Sequence, residues 1–277
     1  MIIKNAIKNQ SYKINFNIDL KKYLNNLIKK YYKVAIITDE NVYKIYKEKI
    51  NIKGLDILRV KPGEKSKSFN VKNSLDEKLL EKKFNRNSLI IGFGGGVVGD
   101  LSGYVAATIL RGIDLVHIPT SLIAIVDSSI GGKTGINSKN GKNLIGSFYN
   151  PREILINSEF INTLSLKEIR QGLSEIIKYG VIKNEKIFNF LEKSNKVFMQ
   201  NHKKNIDKII KECIKIKIDT VEKDFKENDL RSILNFGHTI GHALEKKYSY
   251  KFSHGDCIGT GMALSLIHIS EPTRLHV

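Results

Sequence analysis

Cysteine is scarce in this chain of 277 residues, which contains only Cys213 and Cys257. Two distant cysteines without a CxxC pair exclude a disulfide framework and a zinc finger held by cysteines. We therefore expect a reducing compartment, the cytoplasm. Proline is also rare, with 4 residues, while 41% hydrophobic and 27% charged residues are typical of a folded globular protein rather than a disordered or fibrous one.

Long apolar runs are absent as well. The N-terminus meets Lys4 before the apolar core of a signal peptide can form. Asp100, Arg111, Asp114 and Asp127 interrupt later apolar segments well short of the ~18 residues that span a bilayer. The sequence therefore predicts neither secretion nor a membrane span.

Arginine is scarce relative to lysine, because only seven of the 46 basic residues are arginine. A formal charge of +18 can indicate nucleic-acid binding. Here the lysines are spread along the chain, and no arginine-rich arm, zinc-finger spacing or RNP motif accompanies them. We interpret the charge as solvated lysine faces and expect no nucleic-acid partner. A basic nucleic-acid-binding module is a remote alternative, which would show salt-dependent binding to several phosphates.

The first two thirds of the chain alternate short β-branched runs with helical patterns, which is typical of a parallel sheet covered by helices. Strands are predicted at 34–38, 55–60, 88–93, 115–118 and 153–157, and helices at 71–83, 97–109, 167–179, 185–192, 206–221 and 235–247. The predicted fold class is an α/β N-terminal domain with a Rossmann-like parallel sheet, over 1–166, followed by an all-α domain, over 167–264. The lysine-rich stretch 194–208 is interpreted as exposed helix and loop.

A glycine-rich turn follows the third predicted strand and opens a helix. Gly94, Gly96 and Gly99 satisfy G-x-G-x-x-G, in which glycines let backbone N–H groups approach a pyrophosphate at the positive end of a helix. A simple tight turn is an equal alternative, because a standard dinucleotide turn belongs to the first βα unit and two strands precede this one. Asp39, at the end of the first predicted strand, is a candidate to accept hydrogen bonds from ribose hydroxyls or to cap the next helix.

Lysine and glycine are adjacent in two nearby segments, 127–134 and 140–146, which contain Lys133 and Lys142. A flexible backbone with ammonium groups can hold a phosphate or a carboxylate, so the segments predict anion-binding loops. A solvated basic loop is the alternative. The spacing G-x-x-x-x-G-K-[ST] is absent, which excludes a Walker A loop.

Histidines concentrate towards the C-terminal end. His238 and His242 are spaced to share one helix face, and His254 follows. Glu175 lies on an otherwise apolar helix stripe. A carboxylate and two imidazoles are a common catalytic zinc set, since the fourth position stays open for a substrate oxygen. The H-x-x-x-H pattern lacks the glutamate of a metalloprotease, which argues against peptide hydrolysis. Histidines packed in the core are the alternative.

Taken together, these segments resemble the 3-dehydroquinate synthase family, over about residues 34–264. The resemblance is carried, in chain order, by 62–68 (PGEKSKS), 94–100 (GGGVVGD), the Arg111-Gly pair, 118–134 (IPTSLIAIVDSSIGGKT), 141–146 (GKNLIG), 172–178 (GLSEIIK), 234–245 (LNFGHTIGHALE) and 253–255 (SHG).

The resemblance implies a lyase of the shikimate pathway, which leads to chorismate and the aromatic amino acids. The implied reaction converts 3-deoxy-D-arabino-heptulosonate 7-phosphate into 3-dehydroquinate and phosphate. Its steps are transient oxidation by NAD, phosphate elimination, reduction and an intramolecular aldol closure. The implied cofactors are NAD and Zn²⁺ or Co²⁺, the implied ligand is a small sugar phosphate, and the implied assembly is a homodimer in the cytoplasm.

The resemblance also implies roles for individual residues. The metal would be held by Glu175, His238 and His254. The catalytic residues would be Lys133, Asn143, Lys178 and His242. The substrate would meet Asp127, Lys142, Lys217, Arg231 and Asn235, and Arg111 would reach the phosphate site of the neighbouring subunit. NAD would lie across Asp39, Glu64, Lys67, Gly95, Gly96, Val97, Asp100, Thr120, Ser121, Lys133 and Lys142.

Two kinds of relative are alternatives, because they share this architecture. One is another sugar-phosphate cyclase, such as a 2-deoxy-scyllo-inosose synthase, and the other is a glycerol dehydrogenase relative, which would accumulate NADH.

The resemblance stops at Leu264. We expect residues 265–277 to be a non-native tail on a chain truncated at its C-terminus. We also expect poor solubility or activity from the chain as written, because family chains usually continue with further helices.

Overall fold

The computed structural model describes residues 3–5, 11–193, 203–248 and 251–270. It divides into two compact units, Met1–Thr163 and Leu164–Val277, whereas the predicted domain boundary lies at 166/167. Among the described residues, no helix combines the length and the apolar character needed to cross a membrane.

A seven-stranded sheet forms the centre of the first unit. In chain order, the strands described in this unit are β1 (Ile3–Asn5), β2 (Tyr12–Phe16), β3 (Val34–Asp39), β4 (Leu55–Val60), β5 (Leu89–Gly94), β6 (Asp114–Pro119), β7 (Lys133–Ser138), β8 (Gly141–Phe148) and β9 (Glu153–Ile156). The sheet order is β1-β2-β9-β6-β5-β3-β4, while β7 and β8 pair with each other. Within the sheet only β1 runs antiparallel to its neighbour.

Helices cover both faces of this sheet. They are α1 (Leu20–Lys30), α2 (Glu40–Ile50), α3 (Phe69–Glu81) and α4 (Gly96–Thr108). Successive strand residues point to opposite faces. Val34 and Ile36 of β3 therefore pack in the core beneath α1 and α2, whereas Ala35 and Ile37 pack in the core beneath α3 and α4. Two buried cores make β3 and β5 apolar at nearly every position.

The predicted fold class is confirmed, and the five predicted strands are β3, β4, β5, β6 and β9. The sequence missed β1, β2, α1 and α2. The prediction of loops at 127–134 and 140–146 was wrong over 133–146, because most of these residues form the antiparallel hairpin β7–β8, while their binding of an anion stays a prediction. Its glycines allow close strand contact: a Cβ on Gly135 would lie 2.6 Å from the carbonyl oxygen of Ile145.

The second unit is helical in its described residues. Its helices are α5 (Leu166–Ile182), α6 (Glu185–Lys193), α7 (Lys203–Lys223), α8 (His238–Lys247) and α9 (His254–Ser270). Helix α8 begins three residues later than predicted from 235–247, because a short 3₁₀ turn occupies Leu230–Asn235. Within the stretch 194–208, residues 194–202 lie outside the described residues and the rest opens α7.

Helix α9 continues through residue 270, beyond the point where the resemblance stops. Residues 271–277 lie outside the described residues. A continued helix does not bear on the origin of these residues, so the non-native tail stays a prediction.

Candidate active site

Three side chains of the helical unit converge on one point. Glu175 lies on α5, and His238 and His254 are the first residues of α8 and α9. The Oε1 atom of Glu175 is 3.5 Å from Nε2 of His238 and 3.6 Å from Nε2 of His254. Two ligands of a tetrahedral zinc ion, each ~2.0–2.1 Å from the metal, lie roughly 3.3 Å apart. The predicted trio therefore fits a divalent cation in both chemistry and spacing.

Glycines bring the three helices close enough for this convergence. A Cβ on Gly255 would lie 2.5 Å from Cα of Gln171 on α5, and Ser174 of α5 donates to the carbonyl of Gly255 at 2.8 Å. A Cβ on Gly241 of α8 would lie 2.6 Å from Ile258 on α9. Each glycine is within three residues of a histidine of the trio, so backbone packing sets the positions of these histidines.

Two reciprocal hydrogen bonds at the start of α5 fix the register of Glu175. Ser165 accepts from the N–H of Glu168, and the Glu168 carboxylate accepts from the N–H of Ser165. Two turns further on, Glu175 is 1% exposed and forms an ion pair with Lys178, which is equally buried. A buried carboxylate is costly without a compensating charge, and Lys178 supplies that charge.

A second carboxylate contacts His254 from the opposite side of its ring. Oε1 of Glu245, a buried residue of α8, lies 3.3 Å from Nδ1 of His254. A carboxylate on the second nitrogen of a histidine fixes the ring for a metal on the first nitrogen. Sequence reasoning missed Glu245, although its spacing of seven residues from His238 places both on one helix face.

The pKa values of the two histidines of the trio are shifted in opposite directions. Burial lowers the pKa of His238 to about 4. Burial also disfavours the charged form of His254, but the carboxylates of Glu175 and Glu245 outweigh that effect and raise the pKa of His254 to about 9. His238 is therefore neutral at neutral pH, whereas His254 has to release a proton before its Nε2 can bind a cation.

The structure brings one further predicted residue to the trio. The ring of His242 is exposed, with its centroid 5.4 Å from that of His238 and 6.0 Å from that of His254. His242, Glu245 and His254 form a second group with metal-binding potential.

The other predicted substrate residues of this unit lie on α7 and on the 3₁₀ turn. Lys217 of α7 is buried, and Arg231 is buried on the turn, where its Nη1 donates to the carbonyl of Phe225 at 2.6 Å. Asn235 is exposed and donates to Glu227 at 2.8 Å. The turn packs against α5 and α7, so these side chains belong to the same helical assembly as Glu175.

The glycine-rich turn of the first unit lies where the strand order reverses. From β3 the chain adds β4 on one side and then β5, β6 and β9 on the other. Ligands of such sheets bind beyond the carboxyl ends of the strands at this switch point. Asp39 ends β3 and Gly94 ends β5, and these strands are neighbours. The glycine-rich turn therefore lies at the switch point, where ligands of such sheets bind, although it follows the third predicted strand and not the first.

The first turn of α4 has features that favour an anion. Gly95 precedes α4 and provides no side-chain cap for its N–H groups. Such N–H groups and the helix dipole favour a phosphate. The hydroxyls of Ser121 and Ser128 lie 3.2 and 3.0 Å from the positions that a Cβ would take on Gly95 and Gly96. Ser128 was missed by sequence reasoning, although it follows Asp127 in a segment that the resemblance included.

Three more predicted cofactor residues lie beside this turn. Val97 is in the first turn of α4, and buried Thr120 donates its backbone N–H to the carbonyl of Gly94 at 2.9 Å. Asp39 accepts from the N–H groups of Asn41 and Val42 at 2.9 and 3.0 Å, so its capping alternative is present in the structure.

A buried lysine, itself a predicted residue, joins three other predicted residues in a network. Nζ of Lys67, which is 3% exposed, donates to Asp100 at 2.6 Å and to Asn143, and it lies 3.7 Å from Glu64. Burial raises the pKa of Asp100, and the charge of Lys67 opposes that rise. The sequence predicted each residue separately, but it did not predict that they meet.

The remaining predicted residues of the first unit lie on turns and on the hairpin. Asp127 is in a π-helical turn, Ala124–Ser128, while Lys133 is exposed and Lys142 half-buried on the hairpin. Arg111 is exposed between Leu110 and Gly112, and all three have positive φ, of 67°, 52° and 109° respectively. Left-handed backbone at two non-glycine residues costs roughly 1–2 kcal/mol each, and such strain clusters at functional sites.

Two family models together match most of the chain. The model described as "3-dehydroquinate synthase N-terminal" matches residues 57–171, and "3-dehydroquinate synthase C-terminal" matches residues 172–275.

Similar proteins agree with these matches. A 3-dehydroquinate synthase of Dictyoglomus thermophilum is 48% identical over 94% of this chain and 74% of its own length. One from Clostridium botulinum is 44% identical over 96% of this chain and 78% of its own length. A solved 2-deoxy-scyllo-inosose synthase complexed with carbaglucose-6-phosphate, NAD+ and Co2+ has a TM-score of 0.86 at 25% identity, over 98% of this chain and 78% of that one. The predicted family is confirmed: this chain belongs to the 3-dehydroquinate synthase family of enzymes.

Proposed function

We propose that this chain converts 3-deoxy-D-arabino-heptulosonate 7-phosphate into 3-dehydroquinate and phosphate in the cytoplasm, with NAD and a divalent cation, Zn²⁺ or Co²⁺. The observation that carries the proposal is the convergence of Glu175, His238 and His254 in a chain whose relatives at 44% and 48% identity are 3-dehydroquinate synthases. The NAD+ and Co2+ in the solved 2-deoxy-scyllo-inosose synthase support the two cofactors.

Each unit contributes one part of the machinery. The glycine turn, with Asp39, Thr120, Ser121 and the Lys67 network, would hold NAD, while Glu175, His238 and His254 would hold the cation. When bound, NAD accepts and returns a hydride and the cation supplies Lewis acidity to substrate hydroxyls.

The cationic side chains that the resemblance assigns to the substrate would compensate the charge of its carboxylate and its phosphate. Such cations orient the substrate and stabilise charge that develops as phosphate leaves. In the helical unit, buried Lys178 and Arg231 are held by neighbouring groups, so they enter the reaction already positioned. In the first unit, Lys133 is exposed and Lys142 is half-buried on the hairpin β7–β8. His242, exposed beside the trio, would help to orient the substrate dianion and disperse its charge.

The same proposal includes a homodimer in which Arg111 serves the partner's phosphate site. Arg111 is exposed on a strained turn that is anchored at both ends: Arg86 donates to the carbonyl of Leu110 at 3.3 Å, and Tyr149 donates to the carbonyl of Ile113 at 2.8 Å. A strained turn that is fixed at its base holds its tip outward, which suits a group that acts on another molecule.

The assay that tests the proposal measures phosphate release and NADH together, with the heptulosonate phosphate, NAD and Zn²⁺. We expect phosphate release without net NADH, because the cofactor is regenerated in each turnover. Net accumulation of NADH would instead indicate a dehydrogenase. Phosphate release from glucose 6-phosphate but not from the heptulosonate phosphate would indicate a 2-deoxy-scyllo-inosose synthase.

A further inference from the structure

The hairpin β7–β8 is irregular at Asn137. The regular pairing Ile136↔Ile145 is followed by Ser138↔Gly141, so three residues of β8 lie opposite the single residue Asn137. Such a bulge redirects side chains and is common beside functional sites. The middle residue of the three is Asn143, whose φ is 58°. Asn137 and Asn143 therefore face each other where the ladder opens.

Asn137 makes three hydrogen bonds, and each one reaches a predicted site residue. Its backbone N–H donates to the carbonyl of Lys67 at 2.8 Å. Its side-chain Nδ2 donates to Oε1 of Glu64 at 2.8 Å. Its side-chain Oδ1 accepts from the backbone N–H of Asn143 at 2.9 Å. One residue thus joins the turn that contains Glu64 and Lys67 to the hairpin that contains Asn143.

The chemistry of this position requires a carboxamide. The N–H of Asn143 can only donate, and the carboxylate of Glu64 can only accept, so the bridging group must offer one acceptor and one donor. A carboxylate at position 137 would face the carboxylate of Glu64 without a proton between them. A shorter or apolar side chain would leave the N–H of Asn143 and the carboxylate of Glu64 without this hydrogen-bond partner.

We infer that Asn137 is the positioning residue that holds Glu64, Lys67 and Asn143 in the arrangement that binds NAD; the inference rests on the proposed function and extends it to a residue outside the predicted site. The left-handed backbone of Asn143 directs its side-chain oxygen to Nζ of Lys67, and the bond from its N–H to Asn137 keeps that backbone in place. Asn137 acts through these residues, and none of its three bonds involves a residue of the helical unit.

The test compares the full chain with its Asn137→Asp variant in direct binding of NAD+ by isothermal titration calorimetry. We expect the Kd for NAD+ to rise about tenfold or more in the variant, because the partly buried bond to Glu64 is lost and a carboxylate pair is introduced. Binding of Co²⁺, followed by its visible absorption, is expected to be unchanged, since the trio lies in the other unit. In turnover, the KM for NAD+ should rise by more than kcat falls.

Two further variants separate positioning from folding. Asn140→Asp makes the same substitution at an exposed residue of the same hairpin, and it should bind NAD+ like the unchanged chain. The double variant Glu64→Gln with Asn137→Asp restores a donor and acceptor pair with reversed polarity. It should bind NAD+ more tightly than Asn137→Asp alone. If Asn137→Asp does not fold, Asn137→Gln, which keeps both groups on a longer side chain, should bind NAD+ more weakly than the unchanged chain.

The outcomes distinguish this inference from the proposed function. Equal NAD+ affinity in Asn137→Asp and the unchanged chain would overturn the inference alone. An equal loss of NAD+ binding, Co²⁺ binding and melting temperature would also overturn it, because the residue would then be structural. Failure of the unchanged chain to bind NAD+ at all would overturn the assigned cofactor and the inference with it.

Discussion

The two units hold their candidate site residues in different ways. In the α/β unit, Lys67 gathers groups from the turn, α4 and the hairpin through hydrogen bonds between side chains. In the helical unit, Glu175, His238 and His254 are placed by helices that touch through glycine. The first arrangement depends on the donors and acceptors that side chains offer, and the second depends on the distance between backbones. A substitution that breaks one should therefore leave the other intact.

The largest expected effect is the loss of the cation from the helical unit. His254→Ala removes one of three ligands, so we expect turnover to fall to background and added Zn²⁺ not to restore it after chelation. Calorimetry should show that NAD+ binding is retained. Full activity of the variant in the presence of chelator would exclude the trio as the metal site.

Helix spacing can be tested with two glycines of α9. Gly255→Ala places a Cβ 2.5 Å from the backbone of Gln171, whereas Gly259→Ala meets only a hydroxyl at 3.8 Å. We expect Gly255→Ala to lower the free energy of unfolding by about 3 kcal/mol and to weaken Co²⁺ binding, since α5 and α9 must separate. Gly259→Ala should be neutral or stabilising by about 0.5–1 kcal/mol. Equal behaviour of the two variants in denaturant titrations would refute close packing as the cause.

Acid should affect the α/β unit through His117. This histidine of β6 is buried next to Gly92 and Gly99, and burial lowers its pKa from 6.5 to about 4. The folded pKa lies below the unfolded one, so stability is complete above pH 6.5 and falls as pH drops towards 4, where the unfolded chain binds the extra proton.

The expected loss between pH 6.5 and 5 is about 2 kcal/mol, at about 1.4 kcal/mol per pH unit. Urea titrations across this range measure it. In the His117→Asn variant the dependence on pH should be shallower by this amount, and an unchanged slope would show that another group is responsible.

The smallest expected signal comes from the proposed exchange between subunits. Arg111→Ala and Lys133→Ala proteins should each be inactive. A mixed dimer would contain one site with neither substitution, so a random mixture should recover about a quarter of full activity. Demonstrated mixed dimers without recovery would place Arg111 in its own subunit's site or outside any site.

The sequence predicted those elements whose local residue pattern is enough to determine them. The run 34–38 is apolar and β-branched, and the run 55–60 combines leucine, isoleucine and valine with two charged residues; both form strands. The hairpin was missed because Gly135 and Gly146 look like loop residues in sequence, although here they allow close strand pairing. The strand β2 was also missed. It is short, apolar and polar residues alternate along it, and its partner strand β9 lies far away along the chain.

The same distinction between local patterns and distant partners applies to the residues of the candidate site. Residue type and spacing singled out Glu175 and three histidines, and the resemblance then selected His238 and His254 as the metal ligands. Asn137 and Glu245 were not, because their roles depend on hydrogen bonds to residues that other elements bring near them. Such partners become visible only when the chain is folded.

The glycine contacts of α5, α8 and α9 have a consequence for how the cation enters and leaves. In a zinc finger the metal organises the chain, so its removal unfolds the protein. Here the helices are held together by their own packing, and the buried charge of Glu175 is balanced by Lys178. The protein therefore need not unfold and refold each time the ion is exchanged. Which divalent cation occupies the site would then follow the supply of metals in the cell rather than the metal that was present when the chain folded.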